Sequence, residues 1–267
     1  MKKSIAIALV CISSCSSYRL ESINFLSKFD LWKKSKEEIV THEQTLAPNS
    51  KISIENTKGA ISIRTWNKPK LLIEATKKGS DEEIRLTKVE TLYTKEGASI
   101  KTVALKPDRQ CSIDYTLIIP QNAILSLVQT NKGEILIKNV STPIKAHTEY
   151  GSLTFQNISN SVQASTKYGS ISIQTKNLKP SSKIVAMAQK GSIKLLLPAE
   201  INATLYAKTD KGIVTSDHPI TLEPRTLKIC QASLSELKRD VRGSLGHGGE
   251  TTIKLHTSRG NVKVLEA

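Results

Sequence analysis

The chain has 267 residues, 38% of them hydrophobic but only 4% aromatic, and its 39 Lys and Arg against 24 Asp and Glu give a formal charge of +15. That length suits one large all-β body or two ordinary domains, and few Phe and Trp beside abundant Ser, Thr, Lys and Ile exclude a bulky aromatic core. What remains is β-structure around a narrow aliphatic interior.

The chain starts MKKSIAIALVCISSC: two lysines, an apolar run from Ile5 to Ile12, then Ser13 and Ser14 before Cys15. The run is too short to span a bilayer and reads as an export signal over residues 1–14. Ile-Ser-Ser-Cys resembles the bacterial lipoprotein cleavage box, which makes Cys15 the expected lipidation site; the bland alternative is an ordinary cleaved signal with Cys15 incidental. Cys11 leaves with the signal, so Cys111 and Cys230 are the remaining thiols. Export permits a disulfide between them, and two separate buried thiols are the equal alternative. With Lys2 and Lys3 removed, 37 bases face 24 acids, a formal +13. An exported protein of that charge meets anionic lipid head groups, lipopolysaccharide, teichoic-type polymers or acidic glycans, and no nucleic acid is expected.

Residues 15–47 form the anchor and linker. Within them LESINFLSKFDLWKKSKEE (20–38) gathers Phe25, Phe29 and Trp32 and predicts a short amphipathic helix, lying at the membrane interface or capping the domain that follows. Residues 48–120 read as strands, because SKISIENTKGAISIRTW, KLLIEATKK, RLTKVETLYTKEGASIKTVAL and CSIDYTLIIP alternate and are bounded by Pro, Gly and Asn.

From 121 to 216 one phrase returns: Thr, two residues, Gly, then apolar residues at alternate positions. It appears as TNKGEILI at 130, TEYGSLTF at 148, TKYGSISI at 166, AQKGSIKL at 188 and, shortened, TDKGIVTS at 209, with outlying copies NTKGAISI at 56 and TSRGNVKV at 257. Gly133, Gly151, Gly169, Gly191 and Gly212 are 18, 18, 22 and 21 residues apart, a period that predicts a parallel β-solenoid, or β-helix, of short stacked coils. Alternation on both sides of each Gly, Gly59 and Gly260 included, means two short strands joined at a corner. Glycine suits that corner through positive φ or close approach of the next backbone. Residues 217–242 break the rhythm as an insertion or cap, and GSLGHGGETTIKLHTSRGNVKV resumes it within the terminal segment 217–267.

Over residues 45–267 the chain resembles the bacterial putative-adhesin family with β-strand repeats, a domain family of unknown function. The likeness rests on NTKGAISIRTW followed by LLIEATKK, on YTLIIPQNAILSLVQTNKGEILI, on the serial glycine phrases and on GSLGHGGETTIKLHTSRGNVKV. It implies a β-solenoid, often exported or membrane-anchored. Family members usually carry Asn or Asp before the repeat glycine, where this chain has Lys, Tyr or Arg.

Little in the sequence suggests catalysis. GSLGHGGE lacks the Gly-Lys-Ser/Thr ending of a phosphate loop and reads as a turn. His42, His147, His218, His247 and His256 show no ligand spacing, so no metal and no cofactor is expected. Polysaccharide cleavage needs converging carboxylates, whereas Glu134, Glu149, Glu200 and Asp210 share no repeat position. The residue before each glycine is more regular. In series the coils would line up Lys132, Tyr150, Tyr168, Lys190 and Lys211 as one edge for an anionic polymer, amines neutralising charge and tyrosines stacking on sugar rings or supplying hydroxyls; the alternative is a solvated corner of a basic protein. The sequence thus reads as a non-enzymatic envelope lipoprotein, facing the periplasm or cell surface, with an adhesive or glycan-binding face. The alternatives are a structural protein assembling through solenoid ends or with other envelope proteins and, less favoured, a polysaccharide-acting β-helix enzyme.

Overall fold

Alternating apolar residues become strands along nearly the whole of the computed structural model, which describes residues 36–222 and 238–267. The strands are β1 (Lys36–Thr45), β2 (Lys51–Lys58), β3 (Ile61–Trp66), β4 (Lys70–Gly79), β5 (Thr87–Thr94), β6 (Gly97–Ala104), β7 (Ser112–Pro120), β8 (Ile124–Lys132), β9 (Ile135–Lys138), β10 (Ile144–Tyr150) and β11 (Leu153–Ile158). There follow β12 (Val162–Tyr168), β13 (Ile171–Thr175), β14 (Lys183–Lys190), β15 (Ile193–Leu197), β16 (Ala203–Lys211), β17 (Val214–Ser216), β18 (Ile220–Leu222), β19 (Asp240–Leu245), β20 (Thr252–Arg259) and β21 (Val262–Glu266). They form two large mixed sheets, β1-β4-β7-β3-β9-β11-β13-β15-β21-β17 and β18-β19-β16-β20-β14-β12-β10-β8-β2-β6-β5. The protein is all-β.

Each repeat phrase supplies both sheets. The strand before its glycine joins the 11-stranded sheet and the strand after it joins the 10-stranded one, so the pairs β2/β3, β8/β9, β10/β11, β12/β13 and β14/β15 stack as parallel rungs. The next rung in space is not the next in sequence. β20/β21, the last strands of the chain, pair with β14/β15 on one side and with β16/β17 on the other.

In-register stacking turns the alternation into ladders between the sheets. Ile61, Ile135, Leu153, Ile171, Ile193 and Val262 follow one another after the glycines, and Ile54, Val128, Ala146, Ala164, Ala186, Leu255 and Ala207 before them; all are buried. Each buried aliphatic side chain contributes about 1.5–3 kcal/mol relative to exposure, and alternating Ala with larger residues keeps the interior thin.

Beyond β2/β3, strands β6 and β7 still pair parallel with them, and outside these the pairing is antiparallel: β5 with β6, β7 with β4 and β4 with β1 at one end, β16 with β19 and β19 with β18 at the other. The sheets are therefore mixed, not the uniform parallel coil that the repeat alone predicts. A folded-back strand pairs the backbone that a terminal parallel rung would otherwise leave bare. The break at 217–242 supplies β18 and part of β19, and residues 246–251 turn between β19 and β20 with Gly246, Gly248 and Gly249 at positive φ.

Two further expectations fall largely outside the described residues, and one feature was not expected. The helix expected over 20–38 lies outside the described residues except for 36–38, which are strand; a six-residue helix, α1 (Asp81–Leu86), appears instead where Ser80 and Glu83 form a reciprocal cap. Cys111 is a buried free thiol, while Cys230 and the Cys15 leader lie outside the described residues. Asn139, just after β9, and Asn157, near the end of β11, take positive φ, and the Asn157 side-chain amide donates to the Asn139 oxygen at 3.0 Å, an asparagine pair that the glycine phrase had overshadowed.

Candidate binding row at the glycine corner

Glycine is required at the corner by contact as well as by dihedral. Gly133, Gly151, Gly169 and Gly191 have φ of 150° to 157°, and a Cβ on any of them would lie 1.9 Å from the carbonyl oxygen of the glycine one rung below. The column continues through Gly260 and ends at Gly212, whose Cβ would meet the Gly260 oxygen at 2.0 Å. No side chain fits between the rungs here.

A buried hydroxyl satisfies these carbonyls on every rung but one. The threonine three residues before a glycine donates to the glycine oxygen of the rung below: Thr130 to Gly59, Thr148 to Gly133, Thr166 to Gly151, Thr257 to Gly191 and Thr209 to Gly260, at 2.7 to 3.3 Å. Ala188 breaks the series. At the first rung Asn56 takes the position; its amide donates to the Ile113 oxygen and its own oxygen accepts from Thr102, whose Oγ1 lies 2.7 Å from the buried Tyr115 hydroxyl. Burial pushes the Tyr115 phenol up to about 12. These threonines explain the first letter of the repeated phrase.

Fixed so, the corner presents one residue per rung. Register pairs Lys58 with Lys132, Lys132 with Tyr150, Tyr150 with Tyr168, Tyr168 with Lys190, Lys190 with Arg259 and Arg259 with Lys211. All seven are exposed. The expected five-residue edge is corrected in two ways: Lys58 extends it, and Arg259 separates Lys190 from Lys211. Sequence order missed Arg259 because its coil inserts between two others. Its own phrase, TSRGNVKV, was the available signal.

The tyrosines also differ from expectation. Their rings are parallel with centroids 4.9 Å apart, and the Lys190 Nζ sits 4.8 Å from the Tyr168 centroid. Tyr168 therefore has Tyr150 on one face and an ammonium on the other, so its faces are not open for sugar stacking. At Tyr168 the ring edge and the phenolic hydroxyl are what the corner offers a ligand. The row itself contains no acid. Beside it Glu149 is paired to Lys167 at 2.7 Å, Asp210 lies 3.5 Å from His256, and Glu134 stands exposed next to Gly133. The hydrogen bond to Lys167 holds the Glu149 carboxyl below its ordinary range, and the same bond holds the Lys167 ammonium above its own.

Among the described residues no group of three or more His, Cys, Asp or Glu is placed to hold a metal, and His147 bonds Ser165 at 2.8 Å. No helix among them is long and apolar enough to cross a membrane.

The fold has a solved counterpart. A putative cell adhesion protein from Clostridium sporogenes matches over 88% of this chain and 100% of its own, with a TM-score of 0.53 at 14% identity. A putative adhesin from Bacteroides fragilis matches over 86% and 97% with a TM-score of 0.40 at 12% identity. No family model matches the sequence, and no curated protein matches it significantly. The first of these shows a shared fold.

Proposed function

We propose that the protein is an exported, lipid-anchored, non-enzymatic adhesion module whose stacked rungs form a β-solenoid and whose corner row binds an anionic polymer of a cell envelope. The carrying observation is the unbroken row from Lys58 to Lys211, with five cations, two tyrosines and no acid. Like charges one rung apart repel unless something neutralises them, so the row stores an attraction for a polyanion that isolated surface lysines lack. The cell-adhesion description of the C. sporogenes protein agrees with this reading. The structural alternative, assembly through stack ends, is weakened by β1, an edge strand with Lys36, Glu37, Glu38 and Glu43 in ion pairs, since charged edges resist strand addition.

Binding of purified protein to lipopolysaccharide and to polygalacturonate tests the row. Lys132→Gln with Lys190→Gln should weaken binding more than the charge-matched control Lys51→Gln with Lys95→Gln, whose exposed lysines lie at the far end of the strands. Equal weakening by the two pairs would reduce the row to a solvated corner. The anchor has its own test: a fatty-acid analogue should label the wild type and not Cys15→Ser.

A further inference from the structure

The row is not uniform, and its sequence of chemistries bears on what it can hold. Lys58 and Lys132 form a two-cation cluster at one end, and Lys190, Arg259 and Lys211 a three-cation cluster at the other. Between them lies the Tyr150–Tyr168 pair, which carries no charge. Rungs of a parallel sheet are about 4.8 Å apart, so Lys132 and Lys190, three rungs apart, are separated by about 14 Å, and the whole row runs about 29 Å. Both clusters stand on rigid, in-register strands, so the spacing is built in.

Resting on the reading of the row as a polyanion site, we infer that it selects a linear acidic polysaccharide lying along the stacking axis, and selects it by length. A rung spacing of about 4.8 Å is close to the length of one extended hexose, so a polyuronate with one carboxylate per residue presents about one charge per rung. A fragment of three residues covers only the Lys190–Arg259–Lys211 cluster. A chain of about seven residues crosses the tyrosines, whose hydroxyls meet its uncharged oxygens, and reaches Lys132 and Lys58. That second contact is intramolecular, so it adds affinity without a second loss of translational freedom. The inserted coil matters because Arg259 closes the larger cluster. Without it Lys190 and Lys211 would be neighbours in a cluster of two.

The test is calorimetric titration of the full-length protein with galacturonate oligomers of about three and about seven residues at one fixed ionic strength. The longer oligomer should bind at least about tenfold more tightly. Lys58→Gln with Lys132→Gln should bring the ratio down to the small advantage a longer chain has in number of registers, leaving the trimer's affinity nearly unchanged, whereas Arg259→Gln should weaken both oligomers. If both lengths bind alike while Lys190→Gln still weakens them, selection by length is overturned and the polyanion row stands. If neither oligomer binds, or if Lys51→Gln with Lys95→Gln weakens binding as much as the row variants, the polyanion reading falls and selection by length falls with it.

Discussion

From β8 to β15 the rungs follow one another in space as they do in sequence; from β16 to β21 they do not. The two regions use the same materials, a buried threonine, a corner glycine and an aliphatic residue on either side, so the difference is not in the local code. It lies in which rung the next coil lands on. Because TDKG and TSRG present equivalent groups to the rung below, local pattern fits either of them onto β14/β15, and the choice is made by the connections. β19 pairs antiparallel with β16, β18 pairs antiparallel with β19, and β20 enters between β14 and β16. A repeat can specify how rungs stack without specifying their order.

The contrast can be broken most strongly in the serial region. Ile171 is buried in a ladder between Leu153 and Ile193, and Ser172 points away from it. We predict that Ile171→Lys leaves an unpaired ammonium in the core at a cost of several kcal/mol and prevents cooperative folding, while Ser172→Lys melts like the wild type. Equal melting temperatures would refute the register.

Next in size is Gly151→Ala. With a rung on each side and a carbonyl 1.9 Å from the new Cβ, it should cost about 4 kcal/mol in denaturant unfolding. Gly212→Ala, at the end of the glycine column with no further glycine stacked on it, should cost about 2 kcal/mol. A reversed order would show that the closing region is the more tightly held.

Alkali should attack elsewhere. The threonine hydroxyls of the stack do not titrate, but Tyr115, on β7 beside the first rung, does, with its folded-state value raised from 10.0 to about 12. A raised folded value stabilises fully below the unfolded one and is lost as pH climbs, so wild-type stability should fall by about 2 kcal/mol between pH 10 and 12. Tyr115→Phe should flatten that fall while lowering stability at neutral pH, because Thr102 loses one of its two hydrogen-bond partners and keeps only Asn56. The smallest effect is a gain: Ala188→Thr restores the missing hydroxyl over Gly169 and should add about 1 kcal/mol.

How much of this was legible follows from which interactions are local. The core face, the corner glycines and the rung-by-rung register are written in period-two alternation, and Leu153, Ile171 and Ile193 fell where that pattern puts them. The role of the phrase's threonine needed the next rung's carbonyl, which only stacking brings near. The short helix was locally encoded by Ser80 and Glu83 and was obscured by the alternating residues around it. Arg259's place between Lys190 and Lys211 could not be read at all, because no local preference separates two coils that match the same rung. The closed ring faces of Tyr168 likewise depend on a side-chain packing that spacing leaves free.

The central claim is that the corner is one row completed by the last coil, and cysteine cross-linking tests it without reference to any ligand. Neighbouring rungs place Cα atoms about 4.8 Å apart, within disulfide reach, whereas positions two rungs apart are separated by about 9.6 Å, beyond it. Under mild oxidation with peptide mapping, Lys190→Cys with Arg259→Cys should give the engineered disulfide in nearly all of the folded protein, and Lys190→Cys with Lys211→Cys should give none. Efficient cross-linking of the second pair and not the first would mean that β16 stacks directly on β14, and the inserted rung would be wrong.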